Sequence, residues 1–133
     1  MVEKLKTLFK DVNIEKSNLG ENIYKVDLPI YQCQTMSPCF TFIIEKKDNY
    51  YEVSDYGLTQ KILSDNDGLT YEIIDEMKII AKDFNCTIGD RLTIVSTCEK
   101  FEDINVCVSN IIHFDSVLKF KAFGEKLVYL EYL

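Results

Sequence analysis

The chain has 133 residues, of which 47% are hydrophobic and 28% charged, and its 15 basic and 22 acidic residues give a formal net charge of -7. This length and apolar content fit one globular domain with its own core and exclude a wholly disordered chain. The acidity disfavours direct binding to nucleic acid, which requires basic residues that neutralise phosphates, and it favours basic protein partners.

The N-terminus and the cysteines indicate the compartment of the protein. The opening MVEKLKTLFKDV has the spacing of an amphipathic helix and lacks the features of a signal peptide. Every apolar run is shorter than the roughly 18–20 residues that a membrane-spanning helix requires. The cysteines form no CxxC pair. We therefore expect a cytoplasmic protein with reduced thiols and no membrane partner.

The N-terminal part of the chain is predicted to form one helix and one strand. Apolar residues recur at helical spacing over 1–12, and the polar segment 13–22 is predicted to be a connection. In 23–28, Tyr24 and Val26 alternate with polar neighbours, which indicates a half-buried strand. Pro29 should end this strand or place it at an edge, because proline has no amide hydrogen.

A hairpin and a short helix are predicted next. Segment 31–38 should be a loop, followed by a strand over Cys39–Glu45, a polar turn at Lys46–Asn49 and a return strand over Tyr50–Ser54. A helix is then predicted from about Leu58 to Ser64.

The C-terminal half should contain two helices separated by a second hairpin. Apolar spacing predicts a helix over 69–85 that begins with Thr70 as its N-cap. Segment 86–97 predicts two short strands around a two-residue turn at Gly89-Asp90. A long helix should run from about Phe101 to a stop at Gly124. The tail that follows either closes the core or forms a dimer contact, so a monomer and a homodimer both stay open.

Together these elements predict a single α+β domain over 1–133. It should have an N-terminal helix, an antiparallel sheet built from hairpins, and helices packed on one face of the sheet.

The common catalytic and cofactor motifs are absent from the sequence. No GxSxG, GxGxxG or phosphate-binding loop occurs, and His113 is the only histidine. A lone histidine on an apolar helix is more often a packing residue than a general base. The scattered cysteines lack the paired spacing of a zinc site, and Asp65 and Asp67 match only part of a calcium loop. We therefore predict no metal, no cofactor and no enzymatic activity.

One corner, VSDYGLT, concentrates the residue types that often form a site. Asp55 at a strand end could act as a general base or metal ligand. A folding role explains the same residues: the Asp55 carboxylate can accept the amides of residues 57 and 58, Gly57 can adopt positive φ, and Thr59 can help start the helix. We favour the folding role and retain Ser54, Asp55, Gly57 and Thr59 as candidate binding residues.

At this corner the sequence resembles the bacterial and phage "domain of unknown function 1828" family. The resemblance rests on the hairpin CFTFIIEKKDNYYEVSD, the Ser-Asp-x-Gly-x-Thr turn over 54–59, and three later segments in the family's order: YEIIDEMKIIAKDFN, FNCTIGDRLTIVST and FEDINVCVSNIIHFDSVLKF. It covers about residues 20–122. The resemblance implies an origin in phages or mobile elements, and it implies no established reaction.

The resulting functional hypothesis is a small acidic protein-binding module. It would inhibit a host defence machine that handles nucleic acid, as an anti-CRISPR-like inhibitor does, by occupying the basic surface of that machine. The alternative is an accessory domain that processes or senses nucleic acid in a defence or restriction system. That alternative requires basic residues to cluster near the hairpin ends, namely Lys46, Lys47, Lys61 and Arg91. An enzyme that uses Asp55 is the third hypothesis.

Overall fold

The computed structural model describes residues 1–30 and 39–131, and this part of the chain combines helices with one antiparallel sheet. The helices are α1 (Val2–Leu8), α2 (Leu58–Asp65), α3 (Tyr71–Ile80) and α4 (Ile104–Glu131). The strands are β1 (Asn13–Lys16), β2 (Ile23–Leu28), β3 (Phe40–Lys46), β4 (Tyr51–Ser54), β5 (Thr87–Ile88) and β6 (Ile94–Cys98). Short 3-10 segments lie at Ala81–Phe84, Asp90–Leu92 and Phe101–Asp103.

The sheet has the strand order β1-β2-β3-β4-β6-β5, and all neighbouring strands are antiparallel. Its register follows from alternation, because the buried residues of one strand lie opposite those of the next, as in the pairs Tyr24–Ile44 and Ile44–Val53. The helices pack on the face that these side chains form. The predicted α+β class is therefore confirmed.

The core lies between the sheet and α4. The sheet contributes a buried apolar set that α4 covers with residues at helical spacing, as predicted. The largest fully buried side chains are Leu5, Phe40, Phe42, Ile44, Ile62, Leu63, Met77, Ile94, Ile104, Ile111, Phe114 and Leu118. Burial of this set is the main source of stability.

Most element boundaries agree with the local chemistry. Strand β2 ends at Leu28, directly before Pro29, and the hairpin β3–β4 lies within one residue of its predicted bounds. The Thr70 hydroxyl oxygen accepts the amide of Ile73 at 3.2 Å and caps α3 as predicted. The predicted loop 31–38 lies outside the described residues.

The polar segment after α1 is not only a connection, and that prediction was wrong. Residues Asn13–Lys16 form β1, which pairs with β2 from Asn13–Asp27 to Lys16–Tyr24. A single apolar side chain, Ile14, is buried there. One buried residue gives too weak an alternation to reveal an edge strand whose pairing depends on its neighbour.

The second hairpin also differs from its prediction. Its strands do pair, with Ile88 opposite Ile94, but the connection spans 89–93 instead of a two-residue turn. Arg91 and Leu92 adopt positive φ of 56° and 59°. The amide of Gly89 donates to the Thr93 carbonyl at 2.8 Å and closes this longer loop.

Gly124 does not end α4, contrary to the prediction. The helix continues to Glu131, and Gly124 lacks the positive φ of a helix-terminating glycine. A glycine inside a helix costs about 1 kcal/mol relative to alanine, which the core packing of α4 between Ile104 and Phe123 can offset. The described side chains end at Gly124, so the predicted role of the tail in core or dimer contacts lies outside them.

Candidate functional site

The VSDYGLT corner is a tight joint between β4 and α2. After Ser54 the chain passes through Tyr56 with φ 53° and Gly57 with φ 77°, both in the left-handed region. Ser54 Oγ accepts the Tyr56 amide at 3.0 Å, and the Leu58 amide donates to the Asp55 carbonyl at 3.0 Å. These bonds reverse the chain and start the helix.

The Asp55 carboxylate is the centre of the corner. Its Oδ1 accepts the amides of Gly57 at 2.9 Å and Ile94 at 3.0 Å, and its Oδ2 accepts the Thr59 amide at 3.1 Å. The Asp55 amide in turn donates to the Ile94 carbonyl at 3.1 Å. The side chain therefore extends the pairing between β4 and β6 and stabilises the first turn of α2.

This geometry refines the predicted folding role. The predicted bond from residue 57 is present, whereas the amide of Leu58 binds the Asp55 backbone carbonyl and not its carboxylate. The Thr59 amide and the distant Ile94 amide are the other partners of the carboxylate. Local turn patterns could not predict the Ile94 contact, because Ile94 lies on another strand far along the chain.

A buried polar network continues from this corner into α4. The Thr59 hydroxyl donates to Asp115 Oδ1 at 2.7 Å, and Lys119 Nζ lies 3.1 Å from Asp115 Oδ2. Asp115 and Lys119 are only 5% and 8% exposed, although both are charged residue types. The Lys119 ammonium also lies 5.7 Å from the centre of the Phe40 ring. The network joins α2 to α4.

The surroundings change the acidity of both carboxyl groups. Burial raises the pKa of Asp55 above its usual value, and the hydrogen bonds from Gly57, Ile94 and Thr59 oppose this rise. Burial also raises the pKa of Asp115, against the attraction of Lys119 and the Thr59 hydrogen bond. The negative charge of Asp55 adds to the rise at Asp115.

The burial of the network limits what it can do chemically. Asp55 and Thr59 have no exposed surface, so neither side chain can contact a molecule in solution. A general base must reach the proton that it removes. The geometry therefore favours a folding role for Asp55 over catalysis, and it separates the candidate binding residues into two groups.

Ser54, in contrast to the buried Asp55 and Thr59, faces outward. Ser54 lines a groove of about 470 Å³ on the sheet face opposite the helices, and Tyr56, 63% exposed, stands at its edge. Gly57 lies between the two groups, where its left-handed backbone makes the corner possible. Tyr56 was not among the predicted binding residues, and an exposed aromatic side chain at the edge of a groove is a signal for binding.

Carboxylates surround this open face. Glu45 and Glu52 lie directly opposite each other on β3 and β4, and Lys47 Nζ lies 2.8 Å and 3.5 Å from their carboxylate oxygens. The two glutamates raise the pKa of Lys47 and hold it charged. Further along the face, Lys25 lies between Glu15 and Asp27 in the same way.

The other predicted chemical residues form no site in the described part of the chain. No group of three metal-ligating side chains occurs there. Cys86 and Cys107 are core residues, and burial raises the pKa of Cys86 to about 12, which keeps it a thiol. His113 is exposed, and its ring packs edge-on against Phe84 at 5.1 Å. Cys33 lies outside the described residues.

The four residues of the predicted basic cluster lie on different elements. Lys47 is held by the two glutamates, and Lys46 and Lys61 are exposed on other elements. Arg91 instead lines an open groove of about 700 Å³ together with Lys78 and Lys82 of the α3 region.

Comparison of the chain with protein-family models, with curated proteins and with solved structures found no match. The resemblance to the domain family named above therefore stays a prediction. Among the described helices, none is long and apolar enough to cross a bilayer.

Proposed function

We propose that this protein is a non-enzymatic binding module that recognises a basic protein surface through the open face of its sheet. The observation that carries the proposal is the unpartnered state of this face: no described helix covers it, whereas the helices bury the opposite face. Antiparallel sheets commonly bury one face against the core and expose the other to solvent. The charges on the exposed face then determine which partners it attracts.

The charges of this face support a basic partner. Glu15, Asp27, Glu45 and Glu52 all project from its strands, and the net charge of the chain is -7. The lysines on the face are each engaged by two of these carboxylates. Such a field accelerates encounter with a positively charged surface and repels nucleic acid.

The partner that fits this chemistry is a protein that itself binds nucleic acid, because such proteins have extended basic surfaces. By occupying that surface the module would compete with nucleic acid and act as an inhibitor. The resemblance to a phage and mobile-element family leads us to propose a host defence effector as the target.

Affinity capture followed by competition tests this function. The tagged chain is used to capture proteins from a defence-bearing host lysate at low and moderate salt, and each captured protein is then purified and its binding measured directly. We expect a salt-sensitive complex that the partner's own nucleic acid displaces. Absence of a specific partner at both salt concentrations, or a complex that nucleic acid cannot displace, would refute the proposal.

One observation favours the alternative function, a nucleic-acid accessory domain. Lys78, Lys82 and Arg91 line a single groove, and a phosphate backbone could contact all three. A gel-shift series with single- and double-stranded nucleic acid at low salt tests this alternative. Binding that is lost on Lys78→Ala and Lys82→Ala would support it, and no shift at low salt eliminates it.

A further inference from the structure

The groove on the open sheet face combines an apolar floor with an acidic border. Ile43 and Val95 flank Ser54 across three adjacent strands and form part of the floor. Glu45, Glu52 and Asp90 supply the carboxylates, and none of the described lining residues is basic. A ligand that suits both parts needs an aliphatic segment that ends in a cation.

Lys47 demonstrates that the Glu45–Glu52 pair holds such a cation. Directly opposed glutamates repel each other across a sheet, which destabilises the pair unless a positive charge lies between them. Here the chain supplies that charge from its own hairpin turn, with Lys47 Nζ 2.8 Å from Glu45 and 3.5 Å from Glu52. The Lys47 side chain is about one-third exposed, so solvent reaches the pair, and a cation that binds the two carboxylates more tightly can displace Lys47.

Two exposed side chains extend the groove at its edges. Leu19, from the β1–β2 connection, is 53% exposed, and Tyr56 is 63% exposed. Tyr56 has a φ of 53°, a conformation that costs a non-glycine residue about 1–2 kcal/mol, and the Ser54 hydroxyl holds it there. The corner thus presents an aromatic ring to solvent at an energetic cost, as binding sites often do.

We propose that this groove binds an extended, arginine-bearing segment of the partner, in which a guanidinium replaces the Lys47 ammonium between Glu45 and Glu52. The proposal rests on the protein-binding function given above. Arginine fits better than lysine because its planar guanidinium can donate to both carboxylates at once, whereas an ammonium is a single point charge. A second copy of this acidic chain, or a nucleic acid, would be repelled by the same carboxylates.

The test uses a fluorescein-labelled peptide of alternating arginine and valine, and the same peptide with citrulline for arginine, in anisotropy titrations with the whole chain. We expect the arginine peptide to bind and the citrulline peptide to bind far more weakly. The double variant Glu45→Gln/Glu52→Gln should weaken binding about tenfold, the combined effect of two exposed charge pairs. The control Glu72→Gln/Asp75→Gln makes the same charge change on exposed positions of α3.

Two further variants separate a specific groove from general attraction. Lys47→Met removes the internal competitor and should tighten binding about threefold. Tyr56→Ala should weaken binding, whereas Tyr71→Ala, at an 89% exposed tyrosine on α3, should not. Any one of three results would overturn the proposed binding site. The two double variants could weaken binding equally, Lys47→Met could fail to tighten binding, or the two tyrosine variants could have equal effects.

The outcomes distinguish failure of the groove from failure of the function. If a captured basic partner binds the wild-type chain but is insensitive to Glu45→Gln/Glu52→Gln, the groove is rejected and the binding function stands. If neither the peptide nor any partner binds at low salt, both are rejected.

Discussion

Asp55→Asn should destabilise the fold far more than loss of an ordinary helix cap. The carboxylate accepts three backbone amides, from Gly57, Thr59 and Ile94. Asparagine offers only one oxygen. If that oxygen keeps the Gly57 and Ile94 bonds, its amide nitrogen faces the Thr59 amide, and two donors then point at each other.

The magnitude follows from these contacts. One buried amide without an acceptor costs about 1–3 kcal/mol, and two hydrogen bonds that lose their charged acceptor weaken by about 1 kcal/mol each. Removal of a buried charge returns part of this cost, because burial disfavours the ionised form and raises the pKa of Asp55. We expect a net loss of about 2–4 kcal/mol in the free energy of unfolding.

Urea unfolding followed by circular dichroism measures this loss by linear extrapolation. Asp65→Asn is the matched control, since Asp65 is exposed at the end of α2 and the charge change is the same. A loss at Asp55 below about 1 kcal/mol, similar to the control, would refute the structural role. Loss of partner binding at unchanged stability would instead place Asp55 in the binding function.

Three other predictions concern α4 and its partners. Thr59→Val removes the hydroxyl that binds Asp115 and should lower the free energy of unfolding by about 1–3 kcal/mol. In a double-mutant cycle with Asp115→Asn the two losses should be non-additive, and additive losses would contradict the contact. Burial raises the pKa of Asp115 in the folded state. As the pH falls, the folded state therefore takes up a proton at Asp115 at a higher pH than the unfolded state does, and protonation stabilises the fold. The destabilisation by Asp115→Asn should therefore grow as the pH is lowered from neutral, and urea titrations that show the opposite slope would contradict this expectation. Gly124→Ala should raise the thermal midpoint and stabilise α4 by up to about 1 kcal/mol, because Gly124 lies inside the helix; destabilisation would show that it is a helix end.

The sequence predicted those parts of the fold that depend on local chemistry. Periodicity located the strands around Val26, Ile44 and Val53 and the buried stripe of α4, and Thr70 and Pro29 marked the ends of their elements. The corner at Asp55 was also recognisable, because an aspartate close before a glycine, here Asp55 and Gly57, is a turn signal that operates within a few residues.

By itself, then, the sequence determined the α+β class, the acidic charge and the location of the turn. Only the tertiary structure paired β1 with β2, placed the Ile94 amide on the Asp55 carboxylate, and brought Thr59 to Asp115. Only it set Glu45 opposite Glu52 and placed both in one groove with Tyr56. The reason is physical: propensity and turn chemistry act between neighbours in the chain, whereas register and helix packing bring together side chains that no local rule connects.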